Sequence, residues 1–128
     1  MEAFYGCDSL RTIDFPNRLE EIGIRAFRES GLESVETSLS VRTIRQSAFC
    51  ECQNLKKAVL NEGLEALGTD EYPDGEGRWR GVFDGSGLKR VKLPSTLRRI
   101  EYSAFRDCKD LKSVRLPERL EYIGKLGF

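Results

Sequence analysis

Six times along the chain a phenylalanine follows a small or β-branched residue: Ala3-Phe4, Ala26-Phe27, Ala48-Phe49, Val82-Phe83, Ala104-Phe105 and Gly127-Phe128. The steps between these rings are 23, 22, 34, 22 and 23 residues, so one supersecondary unit recurs about five times and is interrupted once. A unit this short has no core of its own and is stable only when stacked on its copies. The expected architecture is therefore a solenoid, which offers a partner a long ribbed surface rather than a catalytic cleft.

Aligning the units identifies the inward slots. The first runs Leu10, Ile13, Phe15, Pro16, Leu19, Ile22, Gly23, and the last runs Leu111, Val114, Leu116, Pro117, Leu120, Ile123, Gly124. Between them the second repeat supplies Leu32, Val35, Thr37, Val41 and Ile44; the third Leu55, Ala58, Leu60, Leu64 and Leu67; the fourth Leu88, Val91, Leu93, Leu97 and Ile100. The segment Leu-x-x-Ile-x-Leu-Pro alternates around a β-branched centre, which predicts a strand of about three to five residues. Pro16, Pro94 and Pro117 end it by removing an N–H. A turn then leads to Leu-x-x-Ile-Gly, predicted as a second short strand on the opposite side of the coil. The stretch from Ala-Phe to the next Leu is too short for a full helix and predicts a 3₁₀ or single helical turn.

The consensus Ala-Phe-x-x-Cys-x-x-Leu-x-x-Ile-x-Leu-Pro-x-x-Leu-x-x-Ile-Gly resembles the BspA-like leucine-rich repeat family. The resemblance covers residues 3–128 except the insertion. It implies an α/β-type repeat solenoid, predominantly of short parallel β-strands, as a right-handed leucine-rich-repeat coil stack of about five units. The functions it implies are protein recognition and adhesion at cell surfaces, which would place the chain at a cell surface or secreted. Thr37-Ser38 in place of Leu-Pro, and Asn61 in place of Pro, depart from the pattern and predict local irregularity at strand ends.

Composition agrees with a single elongated domain over residues 1–128, with an insertion at about 69–80 in the third repeat. Of 128 residues 39% are hydrophobic and 33% charged, enough apolar residues for a core and enough charge for solubility. No apolar run approaches the ~20 residues of a membrane span. The 21 basic and 21 acidic residues cancel, and aromatics are missing from the outward strand slots, so no nucleic acid and no membrane insertion is expected. The chain has no histidine, which removes the usual activation of Ser and Cys nucleophiles and His-centred metal sites. No catalytic residue, cofactor or metal is assigned, and the chain reads as a non-enzyme. Cys7, Cys52 and Cys108 share one slot, with Ser30 and Ser86 in the coils between. Two coils at ~4.8 Å each separate successive cysteines too far for a disulfide. Free thiols are expected, with Cys50 pointing outward, and such thiols fit a reducing, intracellular compartment.

The outward charges point to a partner surface. Around the second strand successive coils carry Glu20-Glu21, Arg42-Thr43, Glu65-Ala66, Arg98-Arg99 and Glu121-Tyr122, an alternation of sign that reads as a register device. Along the first strand the outward slots are Thr12 and Asp14, Ser34 and Glu36, Lys57 and Val59, Arg90 and Lys92, Ser113 and Arg115. That face runs from acidic to basic, so Lys57, Arg90, Lys92 and Arg115 are candidate contacts for an acidic protein partner. The insertion carries the only Trp, and Tyr72, Arg78, Trp79 and Arg80 are residue types favoured as interface anchors. The chain opens and stops within a unit, which predicts a piece of a longer array or ends covered by another copy. Two functions follow: a protein-protein interaction module, or a self-assembling repeat array associating end to end.

Overall fold

The computed structural model describes residues 3–68 and 80–124. Each coil contributes one short strand to either or both of two parallel sheets. The strands are β1 (Glu21–Ile22), β2 (Ser34–Glu36), β3 (Thr43–Ile44), β4 (Lys57–Val59), β5 (Ala66–Leu67), β6 (Arg90–Lys92), β7 (Arg99–Ile100) and β8 (Tyr122–Ile123). One sheet runs β1-β3-β5-β7-β8 and the other β2-β4-β6. Equivalent slots pair without a slip: Ile22 with Ile44, Ile44 with Leu67, Leu67 with Ile100, and Ile100 with Ile123. On the other side Val35 pairs with Ala58 and Ala58 with Val91. The parallel stack of strands is the solenoid that the repeat spacing dictates.

The core is what one inward residue per slot and per coil must make: continuous columns of side chains. Leu32, Leu55 and Leu88 are fully buried, as are Ile44, Leu67 and Ile100. Phe4, Phe27, Phe49, Phe83 and Phe105 form a vertical ladder with ring centroids 5.1, 5.4, 5.3 and 5.6 Å apart and planes 1° to 13° from parallel. These separations approach the ~4.8 Å between neighbouring strands, so the backbone repeat sets the ring spacing. Phe15 caps Phe27 edge-on at 5.7 Å. Each buried ring contributes on the order of 1.5–3 kcal/mol.

The third side of each coil departs from the predicted helical turn. Among the described residues no helix forms there. Bonds of the i→i−3 kind close a turn on each side of the ladder Phe, such as Ala48 N to Arg45 O and Cys52 N to Phe49 O, yet left-handed residues stop them from propagating. They stand two before the Phe at Arg25, Ser47 and Ser103, and two after it at Gly6, Glu29, Glu51, Gly85 and Asp107, with φ between 56° and 73°. The reversal turns main-chain groups toward the next coil: Phe27 N donates to Ala48 O, Phe49 N to Val82 O and Glu51 N to Asp84 O. Intercoil hydrogen bonds satisfy the groups that a helix would have used internally.

The two irregular strand ends prove to be one structure. Asn61 N donates to Thr37 Oγ1 at 2.9 Å, and Asn61 Nδ2 donates to Thr37 O at 2.7 Å and Glu36 Oε2 at 3.0 Å. Thr37, buried in a slot that elsewhere holds Leu or Phe, thus has its hydroxyl satisfied by the residue that replaces Pro one coil later.

The cysteines follow the predicted slot. All four are free. Ser30 Oγ meets Cys52 Sγ at 3.5 Å and Ser86 Oγ meets Cys108 Sγ at 3.4 Å, while the two thiols donate to Phe27 O and Phe83 O. Cys50 does not point outward: it is fully buried. The left-handed residues Ser47 and Glu51 flank it, breaking the two-residue alternation on which an outward assignment depends. Burial pushes its thiol up to about 12, and burial raises Cys52 and Cys108 as well.

Candidate functional site

Strands β2, β4 and β6 expose two columns of side chains. Their register stacks Ser34 on Lys57 on Arg90, and Glu36 on Val59 on Lys92. Ser34, Glu36, Lys57, Arg90 and Lys92 are exposed. Charge therefore changes from acidic to basic across three strands, and Lys57 and Arg90 stand as like-charged cross-strand neighbours. Such a pair is mildly destabilising by itself, so the fold gains nothing from placing it there. Thr12, Asp14, Ser113 and Arg115 are also exposed but lie outside strands, so the sheet on this face spans fewer coils than the repeat pattern predicts.

The sheet stops short at both ends: beside β2 the first coil keeps a backbone bond from Glu33 N to Arg11 O, and the larger loss of bonding lies between the fourth and fifth coils. On the opposite face β8 pairs with β7, and on the turn side Phe83 N donates to Ala104 O and Gly85 N to Arg106 O. Between β6 and residues 111–117 no described residue supplies an equivalent backbone bond. The inward residues of β6 record the gap: Val91 and Leu93 are half-buried, whereas Val35, Ala58 and Leu60 in the same slots are 4%, 1% and 1% exposed. Two clefts of about 700 and 630 Å³ open there and share Val91. Lys89, Arg90 and Lys112 line one, with Asp110; Lys92, Arg115 and Arg119 line the other, with Glu62 and Glu118. Basic groups outnumber acidic ones on both. Hydrogen bonds from Ser95 hold the Glu62 carboxyl below its ordinary range, so that acid is already engaged.

This seam joins Arg90, Lys92 and Arg115, three of the residues the sequence singles out, and leaves Lys57 one coil away on the same face. Sequence gives no sign of it, because Leu111, Val114 and Leu116 match the strand slots as well as any other repeat. Tyr72, Arg78 and Trp79 lie outside the described residues. Arg80 is placed at the root of the insertion and is held: its guanidinium pairs with Glu51 and with Asp84, the latter at 2.9 Å and buried, and Ser47 Oγ donates to its carbonyl at 2.9 Å. At the other root Gly68 has φ 87°, and a Cβ there would sit 2.9 Å from the Glu101 Cβ. Both edges of the insertion are thus fixed to the stack.

The sign-alternating column is real in the backbone. Arg42 N donates to Glu20 O, Glu65 N to Arg42 O, Arg98 N to Glu65 O and Glu121 N to Arg98 O. Among the described residues its direct ion pair is Arg98–Glu121 at 3.7 Å, with both side chains more than half exposed; Arg42 instead donates to Gly63 O at 3.1 Å. Exposed pairs of this kind contribute about 0–1 kcal/mol. No group of three or more potential metal ligands is assembled among the described residues.

Comparison with curated proteins gives no match. A solved leucine-rich repeat protein from Bacteroides ovatus ATCC 8483 has the same fold with a TM-score of 0.76 and 29% identity. That match covers 94% of this chain and 29% of the other, so the chain spans under a third of that protein's length. The family model described as BspA type leucine rich repeat region matches residues 1–72 and 80–128 in six copies, as many as the sequence has phenylalanines preceded by Ala, Val or Gly at the repeat spacing. The unmatched stretch falls inside the insertion. By its repeat, its coil geometry and this match, the chain belongs to the BspA-type leucine-rich repeat family.

Proposed function

We propose that the chain is a protein-recognition module whose late coils bind an acidic surface of a partner protein through the outward face of β4 and β6. The carrying observation is the juxtaposition of Lys57, Arg90 and Lys92 on one exposed sheet face. No described residue forms an ion pair with any of these charges, and electrostatic complementarity is what gives such a surface its on-rate and specificity. Adhesion would be one use of the same face, and the insertion, with Tyr72, Arg78 and Trp79, would be a second element for contact with the partner. The test compares partner capture by the intact chain, by Arg90→Glu/Lys92→Glu, and by Arg18→Glu/Lys109→Glu as a control of equal charge change. Loss of capture in the first variant alone supports the reading; capture unchanged in that variant overturns it. Deleting residues 70–79 asks separately whether the insertion takes part.

A second reading, association between copies, rests on exposed aromatics of the first coil. Phe4 and Tyr5 are 37% and 41% exposed, and Phe4 stacks on Phe27. Phe4→Ser should abolish any concentration-dependent sedimentation while leaving partner capture intact. A sedimentation coefficient independent of concentration in the intact chain removes this reading.

A further inference from the structure

The open edge of β6 has the makings of a peptide site. In a parallel ladder alternate residues direct their N–H and C=O to opposite neighbours. Arg90 N donates to Lys56 O and Leu60 N donates to Lys92 O, so Arg90 and Lys92 serve the β4 side. That leaves the Val91 N–H and C=O, the Lys89 C=O and the Leu93 N–H directed at the seam, where no described residue pairs with them. In β4 the corresponding groups all face a strand: Lys56 O and Leu60 N bond to the fourth coil, and the Ala58 N–H and C=O are directed at Arg90 and Lys92 of β6.

We infer that the seam between β6 and residues 111–117 takes an extended acidic peptide segment, which adds to the free edge of β6 as a strand. Main-chain bonds to Val91 and Leu93 supply affinity in such an arrangement, and alternate side chains supply specificity. The side-chain requirement follows from the pleat. Peptide residues on the inner side meet the half-buried Val91 and Leu93 and call for apolar groups. Residues on the outer side stand beside Arg90 and Lys92 and call for carboxylates. Basic side chains on a strand edge also repel unsuitable strands, so the charges that keep this edge from pairing at random select an acidic occupant. The inference rests on the proposed recognition role of the basic face and specifies its ligand.

The probe is a fluorescent heptapeptide of alternating Glu and Val, offered to the intact chain, with three companions. One replaces Val by Ser, one is N-methylated at alternate residues so that it keeps its side chains but loses half its donors, and one is presented to Arg90→Glu/Lys92→Glu. Anisotropy measures binding, and hydrogen exchange measures the Val91 and Leu93 amides. Strand addition predicts that the Glu-Val peptide binds, that N-methylation or the double charge reversal abolishes binding, and that the two amides exchange up to about 100-fold more slowly at a peptide concentration 100 times Kd. Equal binding of the N-methylated or Glu-Ser peptide, or binding that leaves both amides unprotected, overturns strand addition while the basic-face reading stands. No binding of the Glu-Val peptide overturns the inference outright, and the capture experiment then decides the broader reading by itself.

Discussion

Thr37 and Asn61 each break the repeat consensus, and each makes the other tolerable. Replacing Thr37 with Val leaves the Asn61 N–H without its acceptor, and Asn61→Pro leaves the buried Thr37 hydroxyl and its carbonyl without donors. Either single change should cost about 1–3 kcal/mol, the penalty for stranding a buried polar group. The double variant should cost less than the sum by about 0.5–3 kcal/mol, the range for residues in direct contact. Urea titration of the four proteins measures this, and strictly additive costs would mean that the two departures are independent. The thiols give a second residue-level expectation. Cys50 ionises near 9.0 when exposed and at about 12 when folded, so the folded state holds the proton more tightly. Its contribution to stability is complete below pH 9.0 and is lost as pH rises toward 12. Melting temperature should therefore fall above pH 9, and Cys50→Ala should flatten that fall; an identical slope in both proteins would assign the alkaline loss to other groups.

At the scale of the coil, the left-handed positions flanking each Phe decide the shape of the third side. A non-glycine residue there costs about 1–2 kcal/mol, partly offset against the ~0.5–1 kcal/mol of chain entropy that glycine loses on folding. Asp107 has φ 56° and an exposed contact of 3.8 Å with Arg106, worth little. Asp107→Gly should raise stability by about 0.5–1 kcal/mol. Gly85→Ala, in the equivalent slot, should lower it by about 1–2 kcal/mol, because its Cβ would also come within 3.2 Å of Arg80 and 3.3 Å of Glu51. Calorimetric melting of both variants checks the pair, and a stabilising Gly85→Ala would refute the argument. These slots also mark the limit of what the sequence discloses. The strands are legible because Leu, Val and Ile recur at the spacing that points them inward, and the Cys-Ser column is legible for the same reason. The turn side is not, since Glu29, Glu51, Ser47 and Asp107 occupy left-handed positions without the glycines that would announce them, and the buried Cys50 is hidden by the same irregularity.

Over the whole molecule each coil touches only its neighbours, so stability is distributed as a chain of interfaces and not as one centre. Phe49 and Phe83 stack on rings above and below and are fully buried; Phe49→Ala should cost about 3–5 kcal/mol, whereas Phe4→Ala, at a ring already 37% exposed, should cost far less. The candidate site was half legible at this scale. Arg90, Lys92 and Arg115 could be assigned to one face from repeat register alone, but that register assumes equal contact between all coils and is silent about where contact fails. Between the fourth and fifth coils it fails on one side only: Ile100 pairs with Ile123 and is fully buried, while Val91 and Leu93 remain half-open. Amide exchange follows local opening, so the two faces of this single interface should differ in the unliganded chain. The amides of Glu121, Tyr122 and Gly124, bonded to Arg98 and Ile100, should be protected. Those of Val91 and Leu93 should exchange orders of magnitude faster than Ala58 and Leu60, their equivalents one coil earlier. Uniform protection across both faces would mean that the fifth coil closes on the fourth in solution, and with it would go the free strand edge on which peptide binding depends.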